Sequence, residues 1–301
     1  MSTSATMPSL AELPALQAVG IAPTRSSRRR GLGMVLAEAQ MADVALLEFA
    51  GGTAAVYSSR SPRKETPNED VAAFLPTGPT SGVLIVADGL GGHAGGERAS
   101  RLAVETIQKT LQAAVTLSPA GDADRFRGAI LDGIEAANQR VRELGSGAAT
   151  TLALVEIQDQ TVRPYHVGDS VILITGQRGK LKLQTIAHSP IGYAVEAGLM
   201  KEEDAIHHEA RHVISNVIGS EQMRIEIGPP TEMAPRDTLV VASDGLVDNL
   251  LPNEIVEFIR SGPLDAALAN MVAEASRRMA TRNGNDPSKP DDLTVIAYRP
   301  S

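Results

Sequence analysis

The periodicities along the chain predict an α+β fold, with mostly antiparallel sheets flanked by paired helices. Three observations carry that expectation. Short apolar runs of strand length come in blocks, and amphipathic runs of helix length come in pairs. The order is strands, two helices, strands, two helices, strand, without the strict βαβ alternation that builds parallel sheets. Apolar residues make up 43 % of the 301 and aromatics only 3 %, so the core must be built mainly from Val, Ile, Leu and Ala.

Residues 1 to about 41 read as a poorly ordered tail. Ser, Thr, Pro and Ala dominate there, and Arg28-Arg29-Arg30 is a solvated charge run. The folded domain is expected over 42–300. The runs 44–50 and 53–58, split by Gly51-Gly52, form a hairpin. Strands follow at 71–75 and 82–87. Ala99, Leu102, Ala103, Ile107, Leu111, Ala114 and Val115 then share one helical face, and Phe126, Ile130, Ile134, Ala137, Val141 and Leu144 share another. Strands return at 150–157, 161–167, 171–175 and 180–185. A mixed stretch covers 188–222, followed by strands at 223–228 and 238–242. Helices near 252–261 and 264–281 precede a last strand at 293–298.

Composition excludes several function classes. The formal net charge of −8 makes a poor binder of nucleic acid or anionic membrane. The absence of Cys removes disulfides, thiolate metal sites and a cysteine nucleophile. No run approaches the ~18 apolar residues of a membrane span. With no charged-then-apolar leader pattern at the N-terminus, the expected location is the cytoplasm and the expected state a monomer.

Chemistry is signalled by where the aspartates fall. The buried-strand run at 82–87 ends in Asp88-Gly89, and the run at 238–242 ends in Ser243-Asp244-Gly245. Asp291-Asp292 opens the run at 293–298. One Asp-Gly pair is an ordinary turn. Two identical strand endings plus a strand opening on Asp-Asp place three carboxylates on one rim, provided the last strand runs antiparallel to the others. Clustered carboxylates repel and need a cation or protons. Oxygen ligands without Cys point to Mg²⁺ or Mn²⁺ rather than Zn²⁺. The Gly-rich stretch Asp88–Glu97 joins a core strand directly to a core helix, where close backbone approach to an ion or phosphate is possible. It is not a Walker loop. A third signal is Asp169, in the turn Gly168-Asp169-Ser170 of an expected hairpin over 162–175.

These residues resemble the bacterial form of the type 2C metal-dependent serine/threonine protein phosphatases. Asn68-Glu69-Asp70 resembles the early acidic motif. Asp88 to Ser100 resembles the Asp-Gly-x-Gly-Gly-His block, Gly147 to Thr151 the Gly-x-Thr strand entry, and Val167 to Ser170 the Gly-Asp-Ser turn. Ser243 to Asp248 resembles Ser-Asp-Gly-Leu-x-Asp, and Asp291 to Val295 the closing Asp-Asn-x-Thr-Val. The segment 188–222 is similar to a flap beside the active site. Single motifs are weak; five in order over about 42–300 are specific.

The resemblance implies a four-layer α-β-β-α sandwich and hydrolysis of phosphoserine and phosphothreonine on proteins. The attacking group would be a water activated at two Mn²⁺ or Mg²⁺ ions, and bacterial members add a weaker third ion. Asp88 would bridge the two ions, and the Gly89 carbonyl would bind one of them. Asp244 and Asp291 would complete the other. Glu69 and Asp70 would act directly or through water, and Asp169 would help hold the third. Arg63 would clamp the phosphate, because the family's arginine position, five before Asp70, is Glu65 here. His93 would brace its loop rather than donate a proton, and His166 would pack inside a strand. Besides Glu65, the chain departs from the family at Val171, where Arg is usual, and at Asp292, where Asn is usual. Two alternatives stand beside this reading: a weak or inactive phosphatase serving as a binding module, and a hydrolase of small phosphoesters.

Overall fold

The structure, a computed structural model, describes residues 33–91, 95–117, 123–145, 147–284 and 286–301. In chain order it opens with β1 (Met34–Ala37), β2 (Ala45–Phe49), β3 (Gly52–Ser59), β4 (Val71–Pro76), β5 (Ser81–Ala87) and the short β6 (Gly89–Leu90). Helices α1 (Gly95–Leu117) and α2 (Ala123–Arg142) follow. Then come β7 (Ala149–Thr150), β8 (Leu152–Gln158), β9 (Thr161–Val167), β10 (Val171–Thr175) and β11 (Leu181–Gln184). Short helices α3 (Pro190–Glu196) and α4 (Glu202–Ala205) precede β12 (Glu226–Ile227), β13 (Thr231–Glu232) and β14 (Thr238–Ala242). Last are α5 (Asp244–Val247), α6 (Pro252–Ile259), α7 (Leu264–Ala280) and β15 (Leu293–Pro300).

Two antiparallel sheets result. One runs β1-β4-β5-β8-β9-β12, with β13 also on β9; the other runs β11-β10-β14-β15-β3-β2. The strands are apolar on both faces because both faces are covered. Val71, Ala73, Val83, Ile85 and Leu154 pack under α1 and α2 against Ile107, Ile130 and Ile134. The alternate residues Phe74, Leu84, Val86 and Val155 turn the other way and meet Val56, Ile172, Val241 and Ile296 of the second sheet. Beyond that sheet, Val240, Ala242, Val295 and Ala297 pack against Ile255, Leu268, Met271 and Ala275 of α6 and α7. Period-two strands between period-3.6 helices thus give a four-layer α-β-β-α sandwich.

Three expectations need correction. The tail does not extend to residue 41. Met34–Ala37 is an edge strand paired with β4, Met34 opposite Phe74; the rest of the expected tail, residues 1–32, lies outside the described residues. β9 and β10 do not form a hairpin. β9 pairs with β8 and β10 with β14, so the turn Gly168-Asp169-Ser170 crosses from one sheet to the other. The strand expected at 223–228 shortens to Glu226–Ile227. The early hairpin does form, with Phe49 opposite Gly52. Its turn is therefore Ala50-Gly51, and their φ values of 46° and 72° match the right-handed twist of the strands.

Phe74 sits fully buried between the sheets, edge-on to Phe49 with ring centroids 5.5 Å apart. Phe74→Ala is expected to cost about 3–5 kcal/mol. A lower urea midpoint with unchanged slope is the measurement.

Candidate active site

Strand registers bring the aspartates together. Val71 opposes Ala87, so Asp70 and Asp88 stand side by side at the ends of β4 and β5. On the facing sheet, Val171 and Val295 both oppose Ala242. Asp169, Asp244 and Asp291 are therefore carried to the same end. The sequence expectation of one sheet rim becomes a mouth between two sheets, each giving carboxylates.

Local hydrogen bonds explain the flanking residue types. The Asp88 carbonyl accepts from Thr150 Oγ1 (2.8 Å) and Thr151 N (2.9 Å), and the Asp88 amide donates to Thr151 Oγ1. Thr151 Oγ1 meets Ser170 Oγ at 2.6 Å, linking the Gly-Asp-Ser turn to Asp88. Ser243 donates to Asp70 Oδ2 (2.7 Å) and accepts the Thr294 amide (3.1 Å), tying Asp70 of one sheet to the other. Asn68 accepts the Asp70 amide and donates to Ser58. Gly89 and Gly96 are required by contact: a Cβ at Gly89 would lie 2.2 Å from the Gly96 carbonyl oxygen.

The electrostatics are strained. Burial raises the pKa values of Asp70, Asp88, Asp169, Asp244 and Asp291. Neighbouring carboxylates raise them further: Asp70, Asp244, Asp169 and Asp291 all act on Asp88. One buried oxygen each of Asp70, Asp169 and Asp244 has no hydrogen-bond partner among the described residues. Orphaned carboxylate oxygens facing a shared space are a hard-cation donor set, so these residues fit a divalent ion.

Asp248 was not among the candidate ligands read from sequence. One helical turn after Asp244, it joins Asp244 and Asp291 in a trio whose oxygens lie within 4.8 Å of one another. The signal was present in the Ser-Asp-Gly-Leu-x-Asp spacing, since i and i+4 share a helix face. Lys289 was missed too. Its ammonium reaches Asp244 (2.8 Å), Asp248 (2.6 Å) and Asp291 (2.9 Å). Burial would lower its pKa, but the three carboxylates outweigh this and hold it above its ordinary value.

Arg63 does not reach the cluster. Its exposed guanidinium donates to the Ala280 carbonyl (3.3 Å) at the end of α7, where a cation is favoured. Lys64, next in the chain, turns the other way and lies 2.5 Å from Glu69 and 2.6 Å from Asp292. Asp292 is neither a free ligand nor a solvated acid. It is buried and accepts the amides of Ser61 and Glu69, both at 2.8 Å, as well as Lys64. Its charge fixes the 61–69 loop, which neutral Asn would do less well. Val171 is core packing under α5 and α6. Glu65 is exposed.

His93 lies outside the described residues. His166 packs as expected: its ring nitrogen donates to the Ser170 carbonyl (2.7 Å), and burial with His188 nearby pushes its pKa down to about 3. His188 accepts the Gly168 amide at Nδ1 (3.0 Å), so its proton is on Nε2, facing Glu226 (2.9 Å). This links the segment starting at His188 to the Gly168 turn. A cleft of about 370 Å³ lies between that segment and the sheet, lined by Ile191, Ile206, Val247 and Leu251 along with Asp169 and Asp248.

Two facing antiparallel sheets with helices outside, and carboxylates from both sheets at one mouth, make a scaffold whose donor set fits divalent cations. Residues 59–285 match the family model for protein phosphatase 2C, and the chain belongs to that family. It is 28 % identical over 240 residues to protein phosphatase PhpP of Streptococcus pneumoniae, covering 77 % of this chain and 92 % of that one. The serine/threonine phosphatase of S. agalactiae superposes with a TM-score of 0.69 at 27 % identity, covering 82 % of this chain and 99 % of that one. The catalytic domain of the phosphatase PstP, in a complex with two manganese ions, superposes with a TM-score of 0.62 at 25 % identity over 82 % and 96 % of the chains.

Two predictions follow from these charges. A carboxylate whose folded pKa is raised binds more protons folded than unfolded. Metal-free protein is therefore expected to lose stability as pH rises from the ordinary carboxylate range, near ~4, through the raised values. A melting temperature that climbs with pH across that window would contradict the repulsion. Asp292→Asn is expected to destabilise by about 1–3 kcal/mol through the lost charge-assisted bonds. Amide exchange should quicken over 61–69, read by mass spectrometry, and leave α1 and α2 unchanged.

Proposed function

We propose that this phosphatase hydrolyses phosphoserine and phosphothreonine on proteins at a binuclear Mn²⁺ or Mg²⁺ centre. The carrying observation is the convergence of Asp70, Asp88, Asp169, Asp244 and Asp291, with one oxygen each of Asp70, Asp169 and Asp244 left unpartnered among the described residues. Asp88 and the Gly89 carbonyl would hold one ion. Asp244, Asp291 and Asp248 would hold the other, with Asp88 shared. Glu69 and Asp70 would act directly or through water, and Asp169 would serve a third, weaker position. Bound ions would supply a water of lowered pKa and neutralise the phosphate oxygens.

The protein's own groups do the rest. Thr150 and Thr151 fix the Asp88 backbone, and Ser243 orients Asp70. Lys64 is the basic side chain at the rim and takes the phosphate-neutralising part first given to Arg63. The cleft beside Asp169 and Asp248 supports a polypeptide substrate over a small phosphoester. Among the described residues, no helix is long and apolar enough to cross a membrane. We place the enzyme in the cytoplasm as a monomer, without nucleic acid or membrane as partners. The second reading, a weak or inactive member, draws on Lys289 among the metal carboxylates.

The test is phosphate release from a phosphothreonine peptide with Mn²⁺, with Mg²⁺ and with chelator. Even partners one step removed from a metal cost about 10–100-fold when changed. Asp88→Asn and Asp291→Ala are therefore expected to lose at least ~100-fold while keeping the wild-type circular dichroism spectrum. Release that survives chelation, or full activity in either variant, would sink the two-metal reading. No release under any metal would favour the inactive reading.

A further inference from the structure

Lys289 is not a surface lysine lying across acids by chance. Its amide donates to Asn249 Oδ1 (2.9 Å), and its carbonyl accepts from Asn249 Nδ2 (2.9 Å). Asn249 is fully buried and also donates to the Gly245 carbonyl, so it ties the 289 peptide to the turn that carries Asp244 and Asp248. Pro290 follows and restricts the chain before Asp291. The main chain is thus held, and the side chain alone is free to turn. Its ammonium lies 2.6–2.9 Å from three different carboxylates, donating a hydrogen bond to Asp244 and pairing by charge with Asp248 and Asp291. Lys64 differs, since it serves Glu69 and Asp292 and none of that trio.

We infer that Lys289 is an intramolecular competitor for one metal position, an ammonium that holds Asp244, Asp248 and Asp291 until a divalent ion takes the same oxygens and the side chain swings out. The inference rests on the two-metal reading. An ion of charge two at contact distance from the three Oδ2 atoms that Lys289 holds would repel the ammonium, so the two compete there even though Asp244 Oδ1 has no partner among the described residues. Three carboxylates left with neither would repel in a low-dielectric site. The lysine therefore stabilises the metal-free fold and weakens the affinity of one position. That position is filled only at higher metal concentration than the carboxylates alone would need.

The test has two arms. Isothermal titration with Mn²⁺ compares wild type, Lys289→Met and Lys64→Met. Lys289→Met is expected to tighten one site by about tenfold, in the range of a close charge-pair coupling. Its metal-free melting temperature should fall, while its Mn²⁺-saturated one should not. Equal tightening in Lys64→Met would mean general charge rather than occupancy and would overturn the inference. So would unchanged affinity in Lys289→Met. The second arm uses wild type alone, so it stands even if a variant fails to fold. Lysine acetylation read by peptide mass spectrometry is expected to rise at Lys289 when Mn²⁺ is added. Mn²⁺ binding with Lys289 reactivity unchanged overturns this inference and leaves the metal reading intact. No Mn²⁺ binding at all overturns both.

Discussion

Mutual repulsion among buried and half-buried carboxylates is the constraint on which this structure turns. Two antiparallel sheets bring acids from distant stretches of sequence to one mouth, where burial disfavours their charges and their neighbours disfavour them further. Such a cluster persists only if the surrounding fold is strong enough to hold it. The three apolar layers supply that strength, and the backbone clamps at Thr150, Thr151, Ser243 and Asn68 aim the charges. A hydrophobic sandwich carries an electrostatically costly site, which counter-charges then relieve.

The relief available within the chain is uneven. Lys289 neutralises part of the Asp244, Asp248 and Asp291 trio, and Lys64 serves Glu69 and Asp292. Asp88 is disfavoured as a charge by burial and then by four other aspartates. On charge alone, a divalent ion has most to gain next to Asp88, which agrees with its proposed place between two ions. Of the three departures from the family pattern, Glu65 is exposed. Val171 is absorbed by the core. Asp292 makes a new charge-assisted tether with Lys64 and the 61–69 loop.

Much of this was legible in the residues. Strand runs ending in Asp-Gly marked Asp88 and Asp244, because a buried apolar run fixes the strand and Asp-Gly fixes where it stops. The layer order followed from blocks of strands and pairs of helices. What escaped was set by distance in sequence. The hairpin expected at 162–175 failed because a short turn is equally able to pass between sheets, and only pairing with β8 and β14 decides which. Met34–Ala37 is an apolar run of only four half-buried residues beside the Arg28–Arg30 charge run, and was absorbed into the tail. Arg63 was expected at the phosphate, but it turns to the end of α7 while Lys64 turns to Glu69 and Asp292, a difference set by the 61–69 loop. Lys289 carries no signal beyond its proximity to Asp291, and its role appears only when Asn249 brings that peptide to α5.

The central claim is that the carboxylate mouth binds two divalent ions. Crystals grown with Mn²⁺ and measured at the manganese absorption edge test it most directly. The account predicts two anomalous peaks, both touching Asp88, one of them also bounded by Asp244 and Asp291 with the Lys289 side chain displaced. An empty mouth at saturating Mn²⁺, with Lys289 still on its three carboxylates, would contradict it.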